Sequence, residues 1–173
     1  YILIQMAKIL PFRAWRYNNA LAENIGSLTS PLFDVASDKQ KEALYSNPYN
    51  SIHLSIPCGE YPSKNATRIL EKCILIIRRQ PRSTPGLYVY YQHFRLPADP
   101  KHYCRRGFIC KIRIYDWEQN VILRHEDTMP ESVDGQIELL DATRLNASPT
   151  HGLYSDETFE LENFMDESMK SPI

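Results

Sequence analysis

Glycine is scarce in this sequence, six residues in 173, and nowhere clustered. A glycine-rich backbone cradle for phosphate, of the P-loop or G-x-G-x-x-G kind, therefore has nothing to be built from. The patterns G-x-S-x-G and H-E-x-x-H are also missing, which removes the nucleophile elbow and the zincin helix. The four cysteines, Cys58, Cys73, Cys104 and Cys110, form no C-x-x-C pair. A chain of this length needs no disulfide staples, so they read as reduced thiols. Long apolar runs are lacking: the longest, residues 73–77, falls far short of the roughly 20 residues of a membrane span. Residues 1–10 are too short and too lightly charged for a secretory leader. Neither sign of charge dominates, since 20 Lys plus Arg against 21 Asp plus Glu leave a formal net charge of −1. No global field then draws the chain to nucleic acid or anionic lipid. The expectation is a soluble, cytoplasmic protein with no membrane and no nucleic-acid partner.

What is present, 43% hydrophobic and 24% charged residues, suffices for one sizeable core. Residues 1–6 read as a leader or cloning remnant around Met6, and residues 7–173 as a single domain. The expected fold class is α+β (mixed α/β), with a central, mostly antiparallel or mixed sheet and helices packed on it. Residues 7–19, broken by Pro11, read as extended. Ser37 and Gln40 have capping-box spacing for a helix that runs to about Ser46 and stops before Asn47-Pro48. Residues 51–56 alternate, Ile52, Leu54 and Ile56 against Ser51, His53 and Ser55, which predicts a half-buried strand. In residues 64–78, Ala66, Ile69, Leu70, Cys73, Ile74 and Ile77 make the stripe of an amphipathic helix packed on a sheet. Residues 87–94 and 106–115 read as neighbouring antiparallel strands whose long loop carries a basic cluster at 101–106. A turn at 116–120, a short strand at 121–124, a helix at 131–144, a loop at 145–154 and a helix at 156–170 complete the reading. In that last helix Leu161, Phe164, Met165 and Met169 share a face.

Chemistry is sought at the ends of these elements, where loops on a rigid frame hold reactive groups. Arg124-His125-Glu126-Asp127-Thr128 sets a carboxylate beside an imidazole at a strand end, suited to general-base work or a divalent cation. A solvated loop with an ion pair from Arg124 accounts for the same residues. Asn146-Ala-Ser148-Pro-Thr-His151-Gly concentrates amide, hydroxyl and imidazole groups before a helix start, where anions are favoured, although turn and cap chemistry explains it equally well. Asn47-Pro-Tyr-Asn50-Ser, followed by His53, reads better as a satisfied turn with a structural histidine than as a site. The 101–106 cluster reads as solvated loop charge, and Tyr88, Tyr90 and Tyr91 as packing.

Taken in order, Ala7-Lys-Ile-Leu-Pro-Phe-Arg13, Ser30-Pro-Leu-Phe-Asp-Val35, Tyr45-Ser-Asn-Pro-Tyr-Asn-Ser-Ile-His53, Arg124-His-Glu-Asp-Thr128 and Leu145-Asn-Ala-Ser-Pro-Thr-His-Gly-Leu-Tyr154 resemble the bacterial domain of unknown function 1015. Members of that family are longer and carry a later Asp-Gly-His-His-Arg motif that is not in this sequence, which implies that the chain is the N-terminal part of a larger protein. The later motif is similar to the phosphate-binding signature of the ParB and sulfiredoxin superfamily, which includes nucleotide-binding partition proteins and free serine kinases. The resemblance implies that Asp34, His125 and Glu126 face a nucleotide or small-substrate pocket. The expected site has Glu126 and His125 as catalytic residues, and Asp34, Asn50, Asn146, Ser148 and His151 as substrate- or nucleotide-binding residues. No residue is assigned to a metal, and the cofactor implied is a nucleotide with Mg. The corresponding reaction is phosphoryl transfer to a small molecule, Glu126 taking the proton of the substrate hydroxyl while His125 or Asn146 orients phosphate. The alternative is a non-catalytic module that binds a nucleotide or a protein partner through the same loops.

Overall fold

A computed structural model describes residues 6–17, 23–32, 35–73, 77–79, 84–125 and 127–170, with backbone only at residues 73 and 77–79. Along the described chain run β1 (Ile9–Leu10), β2 (Trp15–Tyr17), α1 (Ile25–Leu28), α2 (Asp38–Tyr45), α3 (Ile52–Ser55), α4 (Pro62–Cys73), β3 (Ile77–Arg79), β4 (Tyr88–Arg95), β5 (His102–Ile109), β6 (Lys111–Ile112), α5 (Pro130–Thr143) and α6 (Glu160–Met169). The fold is mixed α+β with antiparallel pairing. Among the described residues the strands form three two-stranded sheets, β1 with β6, β2 with β3 and β4 with β5. No helix among these residues is long and apolar enough to cross a membrane. The chain divides into two compact units, one drawn from segments 1–13, 82–125 and 152–173, the other from 14–81 and 126–151.

The second unit holds the helical core. Leu54, Ala66 and Leu139 are buried together, with Tyr17, Ile69, Leu70, Leu145 and Ala147 packed against them. Helix α2 starts as its sequence predicts: Ser37 Oγ accepts the Gln40 N–H while Gln40 Oε1 accepts the Ser37 N–H. The amphipathic helix is present as α4, and among the described residues its main packing partner is helix α5. The physical reason lies in Ser63, Ala66 and Thr67, small residues on one face that admit a second helix closely. Their hydroxyls also find partners there, Ser63 Oγ donating to Glu138 at 2.9 Å and Thr67 Oγ1 lying 3.0 Å from Ser63 O and 3.3 Å from Ala142 O. The predicted stripe ran on to residue 78, whereas α4 ends at Cys73 and Ile77–Arg79 pairs antiparallel with Trp15–Tyr17. Ile74 lies outside the described residues.

Residues 51–56 are not a strand. They form the single turn α3, in which Ile52 is fully buried and Leu54 nearly so. Alternation over six residues does not separate a strand from one helical turn enclosed on several sides. Local hydrogen bonds decide the matter: Asn50 Oδ1 accepts the Ile52 N–H at 2.9 Å, and Ser51 O accepts from Leu54 and Ser55 at 2.9 and 3.0 Å.

The first unit is built on the β4–β5 hairpin, in register from Tyr88 opposite Ile109 to Arg95 opposite His102. Its connection is only residues 96–101, so the basic cluster expected in a long loop lies mostly on strand β5. Asp99 organises this turn, accepting the Lys101 N–H at 2.9 Å and the Tyr103 hydroxyl at 2.7 Å, and these bonds hold its carboxyl below the usual range. A Cβ at Gly107 would lie 2.8 Å from the ring of Tyr90, the residue directly opposite. Gly107→Ala is therefore expected to push the tyrosine aside and cost about 1–3 kcal/mol, read as a lowered urea midpoint at unchanged m-value.

A 3-10 turn at Trp117–Gln119 occupies the predicted turn, and the strand expected at 121–124 is absent. Helix α6 starts at Glu160 rather than near residue 156, and of its expected apolar face only Met165 is buried. Polar contacts tie it to the hairpin instead. Arg106 sits 2.5 Å from Glu162 and 3.6 Å from Asp166, and the Tyr91 hydroxyl donates to Asp166, a bond that pushes its pKa up to about 12.

Candidate functional site

Asn50 is 2% exposed and its side chain serves the backbone. Its Nδ2 donates to Ser27 O at 2.8 Å and to Thr29 O at 3.0 Å, so both amide protons are taken. Around it Asn47 Nδ2 donates to Ser27 O at 2.9 Å, the Tyr17 hydroxyl lies 3.1 Å from Leu28 O and 2.9 Å from Tyr49 O, and the Ser51 N–H donates to Leu28 O at 2.7 Å. Ser30 Oγ lies within 3.1 Å of Ser51 Oγ and 3.3 Å of Ser55 Oγ. His53 Nε2 is 3.1 Å from Asn47 O, which places a proton on that nitrogen, and its ring stacks obliquely on Tyr45 with centroids 5.5 Å apart. Tyr45, whose pKa burial raises, donates to Ile56 O. The Asn-Pro-Tyr-Asn-Ser stretch is thus a clamp that holds residues 27–30 against α3.

The segment after α5 is arranged differently. Arg144 takes a left-handed conformation that ends the helix, and Thr143 Oγ1 donates to Leu139 O at 2.7 Å. Leu145 and Ala147 pack on the core of the second unit, which fixes the backbone between them. Asn146 is exposed, Ser148 half-buried and His151 exposed. Among the described residues none of these three side chains is hydrogen-bonded, in contrast to Asn50. The helix expected just beyond starts at Glu160, so the segment is not its first turn and the helix dipole does not account for anion affinity here.

His125 is exposed, belongs to the first unit and stands on irregular chain rather than at a strand end; it, Arg124 and Asp127 each have an interaction partner. Glu126 and Asp34 lie outside the described residues. Asn50, Asn146, Ser148 and His151 belong to the second unit, with no hydrogen bond or ring contact joining Asn50 to the other three. A depression of about 210 Å³ in that unit is lined by Pro31, Gln40, Ala43 and Leu44 and by none of the expected site residues. It is smaller than the ~300–1,000 Å³ of ordinary ligand pockets. Among the described residues no three His, Cys, Asp or Glu side chains are placed to hold a metal ion.

One pairing was not visible in the sequence, that of His93 with Cys104, eleven residues apart and directly opposite in the hairpin register. The hairpin pattern was readable, but its turn length, which sets the pairing, was not. Cys58, Cys104 and Cys110 are free thiols, with Cys58 and Cys104 exposed and Cys110 half-buried, its pKa raised by burial.

No curated protein and no solved structure matches the chain. The sequence model of one family, described as a protein of unknown function (DUF1015), matches residues 9–173. With nearly the whole length matched, and with the motifs at 7–13, 30–35, 45–53, 124–128 and 145–154 inside or overlapping that span, the chain belongs to the DUF1015 family.

Proposed function

We propose that the chain is a ligand-binding module whose segment 146–151 takes the phosphate-bearing part of a nucleotide or a similar small anion. One observation carries this reading: Asn146, Ser148 and His151 keep their amide, hydroxyl and imidazole free of hydrogen bonds among the described residues, on a backbone anchored by Leu145 and Ala147. Anchored backbone with uncommitted donors lets a site bind without first breaking internal bonds. A nucleotide is the ligand favoured by analogy alone: the motif that longer family members carry, and this sequence does not, resembles the phosphate-binding signature of the ParB and sulfiredoxin superfamily. Phosphoryl transfer, with Glu126 as proton acceptor and Asn146 on phosphate, is the more specific form of the same reading.

The test is thermal denaturation of the protein with and without ATP, GTP and inorganic phosphate, each with and without Mg²⁺. A ligand at about 100 times its Kd stabilises by ~2.7 kcal/mol, or roughly 5–10 °C for a chain of this length. The shift is expected for the wild type and expected to vanish in Asn146→Ala/His151→Ala, two exposed changes that leave the unliganded transition in place. An unshifted wild type, or a double variant that keeps the full shift, removes the segment from consideration.

A further inference from the structure

The two faces of the β4–β5 hairpin carry different residues, because cross-strand partners share a face. On one face, in order, stand Tyr91 opposite Arg106, His93 opposite Cys104 and Arg95 opposite His102. At the first pair the cation is met by Glu162 and Asp166 of α6. At the second, Cys104 Sγ lies 4.0 Å from His93 Nε2, and both residues are exposed. At the third, Arg95 Nε donates to His102 Nε2 at 2.7 Å. Arg95 makes no ion pair among the described residues. A nucleophile, a base beside it and a guanidinium held by His102 rather than by a carboxylate thus line up along one exposed strip of the hairpin. An imidazole in contact with a thiol can take its proton as the sulfur attacks, and a guanidinium farther along the same face attracts an anionic co-reactant.

We infer that Cys104, with His93 as its base and Arg95 as its anion contact, is a site of mixed-disulfide formation with small anionic disulfides. The thiol proton passes to His93 Nε2 and the thiolate attacks one sulfur of the disulfide. The disulfide S–S bond breaks as the bond to Cys104 Sγ forms, and the leaving thiolate takes the proton back from His93. Cys104 is oxidised and the departing sulfur reduced, so the co-reactant itself is the oxidant. The step needs nothing from segment 146–151 and stands or falls apart from the ligand-binding proposal.

Cys58 supplies an internal control, because it is exposed and has no imidazole contact among the described residues. The experiment incubates the whole protein with oxidised glutathione, or with the neutral 2-hydroxyethyl disulfide, and follows each cysteine by mass spectrometry of its peptide. Cys104 is expected to react about tenfold faster than Cys58 at pH 7, with the difference shrinking above about pH 9, where any ordinary thiol ionises unaided. His93→Gln is expected to bring Cys104 down to the Cys58 rate without changing Cys58, and an unchanged urea midpoint reports that the variant is folded. Arg95→Gln is expected to slow the reaction with glutathione disulfide and leave that with the neutral disulfide unchanged. Equal rates at Cys104 and Cys58 in the wild type overturn the inference without reference to any variant. An undiminished Cys104 rate in His93→Gln removes the base, and equal loss with both disulfides in Arg95→Gln removes the anion contact.

Discussion

Asn50→Ala is expected to destabilise the protein by about 3 kcal/mol or more, because it strips three hydrogen bonds from one buried position. Ser27 O keeps Asn47 as a donor, but Thr29 O loses its amide donor and the Ile52 N–H loses its acceptor. A buried polar group left without a partner costs about 1–3 kcal/mol, beyond the bond itself. The size of this effect decides how any functional defect at Asn50 is interpreted. A variant with a lowered urea midpoint and correspondingly weak nucleotide binding has lost the clamp. A variant with wild-type stability and no binding would show that the side chain faces a ligand, against the geometry described. Asn50→Asp is a sharper form of the same test: the side chain keeps an acceptor for the Ile52 N–H but turns a carboxylate oxygen toward the carbonyls of Ser27 and Thr29. It is expected to be no milder than alanine.

The largest core effect is expected at Ile52, the bulkiest side chain that is fully buried in the described structure. Ile52→Ala removes three heavy atoms from a packed site and leaves a cavity, at a cost of about 2–5 kcal/mol. In a chain of this length that is roughly 5–20 °C of melting temperature. Ile52→Val, which deletes a single methyl, is expected to cost about 0.5–1.5 kcal/mol. His53→Ala on the same turn separates the two accounts of residues 51–56. In a strand with one solvated face it would be nearly silent. In α3 it removes the bond to Asn47 O and the contact with Tyr45, so a measurable loss is expected, smaller than that at Ile52. Chemical denaturation monitored by far-UV circular dichroism reads all three variants, and a silent Ile52→Ala would contradict the burial on which this account rests.

The elements that were legible in the sequence are those whose determinants are local. The Ser37 and Gln40 box, the helix at Pro130–Thr143 and the stripe of α4 were readable because capping and a period of 3.6 residues depend only on near neighbours. Residues 51–56 were misread because six residues hold too little periodicity to separate a strand from a single helical turn, and the burial of Ile52 and Leu54 on that turn is set by the rest of the unit. The strand expected at 121–124 failed for a related reason: β-branched and apolar character suits a strand only where another strand pairs with it. The candidate site was half legible. Asn50 and Asn146 are both amides in loop motifs and look alike in sequence, yet one is spent on backbone carbonyls and the other is exposed.

By itself, then, the sequence determined the family, the mixed α+β class and where most helices lie, because composition, caps and helical periodicity are carried by residues close together in the chain. Tertiary structure decided what α4 packs on, which strands pair, that the cationic run 102–106 lies on a strand, and that Cys104 meets His93. Each of these depends on how elements pair and pack, from the eleven-residue step between His93 and Cys104 to the distant meeting of α4 with α5, because burying apolar surface and satisfying backbone groups are settled by the whole fold at once.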